Sequence, residues 1–223
     1  MFLRINRVVS IIMFIELLRT VRSFNKFRFR PFTRDFKSFN AAQKKTDVAS
    51  DYHIPVLRDE CCHYLITKEN GLYVDCTVGG GGHTRAILER GGRVIGLDQD
   101  PDAIAEASSH LEFFISTGKL ELIRTNFRFI EKAIKESVLA KGELVDGVLM
   151  DLGISSHQID EPERGFAFGA DGPLDMRMGQ GQNKNNMDSD HFTDSDFTAA
   201  TIVNEWDQES IANALYDYGD EPR

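Results

Sequence analysis

The chain has 223 residues, of which 41% are hydrophobic, and its formal net charge at pH 7 is −9. That length is enough for one α/β domain or one and a half, and the hydrophobic fraction is ordinary for a globular protein. The acidic balance argues against a general, non-specific nucleic-acid binder, because phosphate backbones attract basic surfaces.

The charge is unevenly spread along the chain. Residues 1–46 hold 11 Lys and Arg against 2 acids, whereas residues 47–223 hold 15 against 33. Arginines interleaved with Phe, Ile and Leu, with almost no acids, are typical of a mitochondrial targeting leader. The apolar run from Val8 to Leu18 is too short to span a bilayer, so no membrane association is expected. A secretory signal is the alternative, but the arginines continue past the apolar run.

The three cysteines, Cys61, Cys62 and Cys76, form no Cys-x-x-Cys pair. We expect no metal site, because structural zinc sites use ligands at recurring spacings. The odd number and the lack of a pattern favour a reducing compartment, with the thiols buried as small apolar groups.

The first predicted elements surround a run of glycines. Residues 58–66 predict a short helix, and Leu72 to Cys76 is an apolar run of the length of a buried strand. Gly79 to Gly82 then remove every side chain from the next turn. Because four glycines are entropically expensive, we expect the turn to need positive φ angles or the close approach of a ligand.

A helix over residues 84–90 and a strand over 93–97 follow the glycine turn, with Asp98 at the strand tip. A strand, glycine turn and helix N-terminus present N–H groups to a ligand. An acid about 20 residues later can accept hydrogen bonds from two ribose hydroxyls. Thr84 stands where the dinucleotide pattern G-x-G-x-x-G needs its third glycine. This favours an adenosine-bearing cofactor without a pyrophosphate, such as S-adenosylmethionine; a purely structural βαβ unit is the alternative.

Further helices and strands alternate up to Asp151. Asp100-Pro101 predicts a helix start, because an N-cap is followed by proline at the first helical position. The predicted elements are helices over 103–114 and 127–140 and strands over 120–123 and 144–150. Strands that alternate with helices predict a parallel, doubly wound sheet, whose ligands bind at the carboxyl ends of the strands. Asp151 should therefore line the same cleft as the glycine turn; a local turn acid beside an N-cap at Ser155 or Ser156 is the alternative.

The last part of the chain is less regular. Residues 180–196 are polar and predict a solvated loop. Residues 199–206 and 209–218 predict two helices.

Four segments together carry a resemblance to a known family: TVGGGGHT, GLDQDP, MDLGISSHQID and EPERGFAFGADGPLDMRM. With them the chain resembles the RsmH/MraW family of S-adenosylmethionine-dependent methyltransferases, which modify N4 of a cytidine in small-subunit ribosomal RNA. The resemblance runs from about His53 to Asp220, and the leader makes the chain look like the mitochondrial, METTL-type member. It implies a Rossmann-like class I methyltransferase sheet, the mitochondrial matrix, and small-subunit rRNA in a ribosome assembly intermediate as the partner.

The resemblance also implies which residues contact S-adenosylmethionine. The matching positions are Gly81, Gly82, His83, Asp98, Phe127, Asp151 and Gln158. Backbone N–H groups of the glycine segment would lie near the methionine part, Asp98 would bind the ribose, and Phe127 would lie beside the adenine. A helix-capping role for His83 and a core position for Phe127 are the alternatives. No general base is identified.

The segments ERGF and DGPLDMRM hold four charged residues, Arg164, Asp171, Asp175 and Arg177. We expect them on the substrate side of the cleft; an internally salt-bridged loop is the alternative. Gly179 stands where the family usually has aspartate, and the loop after it is longer than usual.

The chain departs from the family pattern after residues 218–221, which resemble the family's Y-G-E-E. There the family continues with basic helices and completes the sheet, so we expect a fragment, a splice form or an incomplete gene model. The fourth strand should then keep an unpaired edge. The expected units are a leader (1–46), a cofactor-binding core (47–160), and a substrate-side loop with the start of an inserted helical subdomain (161–223). An inactive cofactor-binding fragment and a small-molecule methyltransferase are the functional alternatives.

Overall fold

The computed structural model describes residues 55, 57–179 and 198–219. The predicted leader at 1–46 and the predicted polar loop at 180–196 lie outside these residues. The elements in chain order are α1 (Arg58–Leu65), β1 (Leu72–Asp75), α2 (Gly82–Glu89), β2 (Arg93–Asp98), α3 (Pro101–His110), α4 (Glu112–Ser116), β3 (Leu120–Arg124), α5 (Ile130–Glu136), β4 (Gly147–Leu149), α6 (Ser156–Asp160), α7 (Ala199–Glu205) and α8 (Gln208–Gly219).

The four strands form one parallel sheet in the order β3-β2-β1-β4. Leu72 of β1 lies opposite Arg93 of β2, and Tyr73 lies opposite Gly147 of β4. Strands β2 and β3 are added in turn on one side of β1, and β4 lies on the other side of β1. The predicted doubly wound, Rossmann-like sheet is confirmed, and its order reverses between β1 and β4. Within the described residues β4 pairs with β1 alone.

Apolar residues cover both faces of the sheet. Alternate side chains of β1 point to opposite faces, so Tyr73 packs with Ile87 of α2 while Leu72 and Val74 pack with Ile130 of α5. A parallel strand buried on both faces needs apolar residues at successive positions. This explains the three successive apolar residues, Leu72 to Val74, with which β1 begins.

Two predicted helices differ from those of the structure. The helix predicted over 103–114 is split into α3 and α4, because Leu111 leaves helical geometry (φ −117°, ψ 17°). The helix predicted over 127–140 begins with a 3-10 turn, Phe127–Phe129, and α5 ends at Glu136. It ends there because the backbone of Ser137 is extended (φ −61°, ψ 128°). The Oγ of Ser137 accepts the N–H of Ala140 (3.0 Å).

The strand predicted over 144–150 is also shorter, spanning Gly147–Leu149. Asp146 still joins it to β1, since its Oδ2 accepts the N–H of Leu72 (3.0 Å) and its own N–H donates to the carbonyl oxygen of Leu72 (2.7 Å). In the parts of the chain that the structure describes, no helix has the length and apolar character needed to cross a membrane.

Candidate functional site

The turn between β1 and α2 is shaped by its glycines. Gly79 and Gly81 have positive φ angles of 51° and 85°, as predicted, and residues with a side chain rarely adopt such angles. Gly82 is required for a different reason, because a Cβ atom there would lie 2.3 Å from Cγ of Pro55. Gly81 is the N-cap of α2 and makes no side-chain capping bond. The turn therefore leaves the first N–H groups of α2 available to a ligand.

Asp98 lies at the tip of β2, beside that turn. Its Oδ2 accepts the N–H of Gly79 (2.9 Å), and its Oδ1 accepts the N–H of Asp100 (2.9 Å). Each oxygen keeps a lone pair for one further donor. Burial raises the pKa of Asp98, while these two hydrogen bonds oppose the rise. A carboxylate fixed in this way can accept hydrogen bonds from two neighbouring hydroxyls of a ribose.

Asp151 and His83 meet on the other side of the turn. The N–H of Asp151 donates to Oγ1 of Thr77 (2.8 Å), and its Oδ2 lies 3.8 Å from Nδ1 of His83. The side chain of His83 is buried, and its Nε2 has no hydrogen-bond partner among the described residues. Leaving a buried polar nitrogen unpaired is unfavourable, so Nε2 is a candidate contact for a bound ligand.

Asp75 lies beneath the turn, and the sequence analysis did not single it out. This last residue of β1 is fully buried. Its Oδ1 accepts the N–H of Thr77 (3.1 Å), and its Oδ2 accepts the hydroxyl of Thr84 (2.6 Å). Because Thr77 also binds the N–H of Asp151, this carboxylate connects the ends of β1 and β4 with α2. The available signal was an acid within an otherwise apolar strand, just ahead of the glycines.

Phe127 opens the 3-10 turn that follows β3. Asn126 anchors this turn, since its Oδ1 accepts the N–H of Arg128 (2.9 Å) and its Nδ2 donates to Oε1 of Gln99 (2.8 Å). Phe127 is thereby placed near the residue that follows Asp98. It also packs against the apolar cluster on the α5 side of the sheet, which supports the alternative of a core position. Its contact with an adenine stays a prediction.

Gln158 is engaged by the protein at both polar ends of its side chain. Its Oε1 accepts the N–H of Ser155 (3.0 Å), and Oγ of Ser155 accepts the N–H of Gln158 (3.1 Å). This reciprocal pair is a capping box at the start of α6. The Nε2 of Gln158 donates to the carbonyl oxygen of Met178 (3.1 Å). The structure thus places Gln158 as the link between α6 and residues 176–179, and its cofactor contact stays a prediction.

Three of the four residues expected on the substrate side form ion pairs within the chain. Arg164 is 2% exposed, and its Nη2 lies 2.9 Å from Oδ1 of Asp100. Nε of Arg177 lies 2.6 Å from Oδ1 of Asp175, whereas Asp171 is exposed. These contacts support the alternative of an internally salt-bridged loop. Burial also removes Arg164 from any surface that could face a substrate.

Comparison with known proteins identifies the family. The model of the MraW methylase family matches residues 50–223. The chain belongs to this family. Membership of a methylase family implies S-adenosylmethionine as the methyl donor. The site fits that group, because it combines a turn without side chains, a carboxylate with spare lone pairs at Asp98, and a buried, unpaired nitrogen on His83.

Curated relatives of this MraW-family chain are bacterial proteins named ribosomal RNA small subunit methyltransferase H. The protein of Heliobacterium mobile is 45% identical over 173 residues, which cover 76% of this chain and 50% of that protein. The protein of Symbiobacterium thermophilum is 44% identical over 173 residues, which cover 76% and 49%. The chain thus spans about half the length of the curated relatives it matches.

Among solved structures, a putative rRNA-methylase from Clostridium thermocellum is 27% identical to this chain, with a TM-score of 0.30. The overlap covers 34% of this chain and 41% of that one.

We expect Asp75→Asn to change the pH dependence of folding stability. Burial raises the pKa of Asp75 above the ordinary value of 3.8, so the folded protein binds this proton more tightly than the unfolded chain does. The stability that Asp75 contributes is therefore fully present at pH values below its ordinary pKa. It is lost as the pH rises through the higher pKa of the folded protein. The Oδ1 of asparagine can accept the N–H of Thr77, and its Nδ2 can donate to the hydroxyl oxygen of Thr84. Asparagine carries no charge, so the variant should lack this loss.

Denaturant unfolding at a series of pH values, from about 4 to about 8, measures the effect. The free energy of unfolding should fall with rising pH more steeply in the unsubstituted protein than in Asp75→Asn. Parallel pH profiles for the two proteins would contradict the expectation.

Proposed function

We propose that this protein transfers a methyl group from S-adenosylmethionine to N4 of a cytidine in small-subunit ribosomal RNA. The observation that carries the proposal is the meeting of Asp98, the bare glycine turn and Asp151 where the strand order reverses. Ligands of doubly wound sheets bind at this position. Family membership and the names of the relatives support the choice of reaction and of RNA.

The residues of the chain contribute by positioning. S-adenosylmethionine supplies, when bound, a methyl group that is already activated on a sulfonium centre, so orientation accounts for most of the rate. Asp98 would hold the ribose hydroxyls, and the N-terminus of α2 with His83 would hold the methionine part. Phe127 would cover the adenine. The cytosine must leave its base stack to reach this cleft.

The nucleophile in this reaction is the exocyclic amine of cytosine. Its lone pair is delocalised into the ring, so a hydrogen-bond acceptor near its N–H would help as charge develops. Asp151 lies beside His83, and we do not assign it the role of general base.

A second candidate is that these 223 residues bind S-adenosylmethionine without acting on RNA. It is favoured by the charge of residues 47–223, which hold 15 Lys and Arg against 33 acids. Such a balance repels a phosphate backbone.

We also propose that the protein acts on a mitochondrial ribosome assembly intermediate. The support is the composition of residues 1–46, with 11 basic and 2 acidic residues. A fluorescent protein fused behind residues 1–46 should enter mitochondria. A fusion that stays outside them would count against this location.

We expect Asp98→Ala to weaken S-adenosylmethionine binding by at least about tenfold, because hydrogen bonds to charged groups contribute about 1.5–3 kcal/mol each. Isothermal titration calorimetry measures the dissociation constant. Asp217→Ala, which removes an exposed acid on α8, is the matched control and should leave that constant unchanged. An unaltered constant for Asp98→Ala would refute the assignment of the ribose site.

We expect radiolabelled methyl transfer to small-subunit rRNA and none to free cytidine, because RNA contacts must bring the base into the cleft. Transfer to free cytidine at a similar rate would instead indicate a small-molecule methyltransferase. Binding of S-adenosylmethionine without transfer to either acceptor would support the second candidate.

A further inference from the structure

Arg164 is a buried cation beside the candidate site. Its Nη2 lies 2.9 Å from Oδ1 of Asp100 and 2.5 Å from Oδ2 of Asp102. Burial opposes its charge, but the hydrogen bonds and charges of these two acids outweigh burial and raise the pKa of Arg164. The guanidinium is therefore a fixed positive charge inside the fold, close to the start of α3.

Asp100 connects this cation to the carboxylate of Asp98. Its backbone N–H donates to Oδ1 of Asp98 (2.9 Å), while its side-chain Oδ1 accepts from Arg164 and from the N–H of Asp102 (3.1 Å). Asp100 is 4% exposed, so its carboxylate depends on a counter-charge within the protein. Without Arg164 this carboxylate would have to move towards water. That movement would disturb the backbone N–H of Asp100, which holds Asp98.

Arg164 also belongs to a segment, residues 162–179, that lies on the loop between β2 and α3. The carbonyl oxygen of Arg164 accepts the N–H of Met176 (3.0 Å). At the far end of the segment, Gly179 lies so close to this loop that a Cβ atom there would be 3.1 Å from the carbonyl oxygen of Gln99. The segment therefore touches the loop at Gln99 and Asp100, the two residues that directly follow Asp98.

We propose that Arg164 is a positioning residue for cofactor binding, which acts through Asp100 on the carboxylate of Asp98. Through these contacts the packing of residues 162–179 is coupled to the affinity of the protein for the ribose of S-adenosylmethionine. The inference rests on the proposed function, because it assumes that Asp98 binds a ribose.

A double-mutant cycle on the 223-residue chain tests the coupling. Isothermal titration with S-adenosylmethionine gives dissociation constants for Asp98→Ala, Arg164→Met and the double variant. Arg164→Met should weaken binding about tenfold, the order of one weakened hydrogen bond to a charged group. It should cause almost no further loss when Asp98 is already Ala, because both changes act on the same contact.

A matched control separates this effect from a general loss of stability. Arg93 begins β2, the strand that Asp98 ends, and its Nη2 lies 2.6 Å from Oε2 of Glu143. Arg93→Met removes an arginine ion pair at the opposite end of the same strand. It should leave the dissociation constant unchanged, and an effect equal to that of Arg164→Met would overturn the inference.

The outcomes distinguish the inference from the proposed function. If Asp98→Ala binds as tightly as the unsubstituted chain, the proposed function fails and the inference fails with it. If Asp98→Ala weakens binding but Arg164→Met has no effect, or an effect that adds in full, the inference alone is overturned.

A second variant keeps the test decisive if Arg164→Met does not unfold cooperatively on heating. Arg164→Lys keeps the charge and loses the planar fork of donors. It should bind S-adenosylmethionine more weakly than the unsubstituted chain, and this difference should disappear in the Asp98→Ala background. A difference that persists there would overturn the inference.

Discussion

The carboxylate of Asp98 accepts one N–H from Gly79 and another from Asp100, and the rest of the site depends on this pair of bonds. The first bond fixes the glycine turn against the end of β2. The second fixes the start of α3. A single side chain at a strand tip thus sets the relative positions of the two loops that would enclose an adenosine. Arg164 stabilises the second loop, between β2 and α3, through its hydrogen bond to Asp100.

Buried charge is concentrated around this edge of the sheet. Asp75 and Asp98 have pKa values raised by burial, and each is compensated by hydrogen bonds from neighbouring backbone or hydroxyl groups. Burying carboxylates is unfavourable for stability, so their clustering at the carboxyl ends of β1 and β2 indicates a site maintained for binding. The unpaired Nε2 of His83 points to the same conclusion, because a ligand would supply its missing partner.

Local sequence patterns were reliable where one physical requirement acted alone. The glycine run predicted positive φ angles or the close approach of a ligand, because side chains disfavour that backbone geometry. Asp100-Pro101 predicted the start of α3, because proline fits the first helical position. The end of α5 was missed. Ser137, which leaves the helix there and accepts the N–H of Ala140, also donates to Glu121, a residue on a strand 16 positions earlier. Contacts between distant segments leave no local periodicity to read.

The sequence by itself determined the parallel α/β core, the glycine turn, and the positions of Asp98 and Asp151 next to the ends of strands. It could do so because buried strands, glycine turns and acids after strands each have a recognisable local sequence pattern. The tertiary structure alone decided what Asp75, Gln158 and Arg164 do. A buried acid, an amide and an arginine have no fixed role until their partners are known. Here those partners are Thr84, Met178 and Asp100, which folding brings from 9 to 64 residues away.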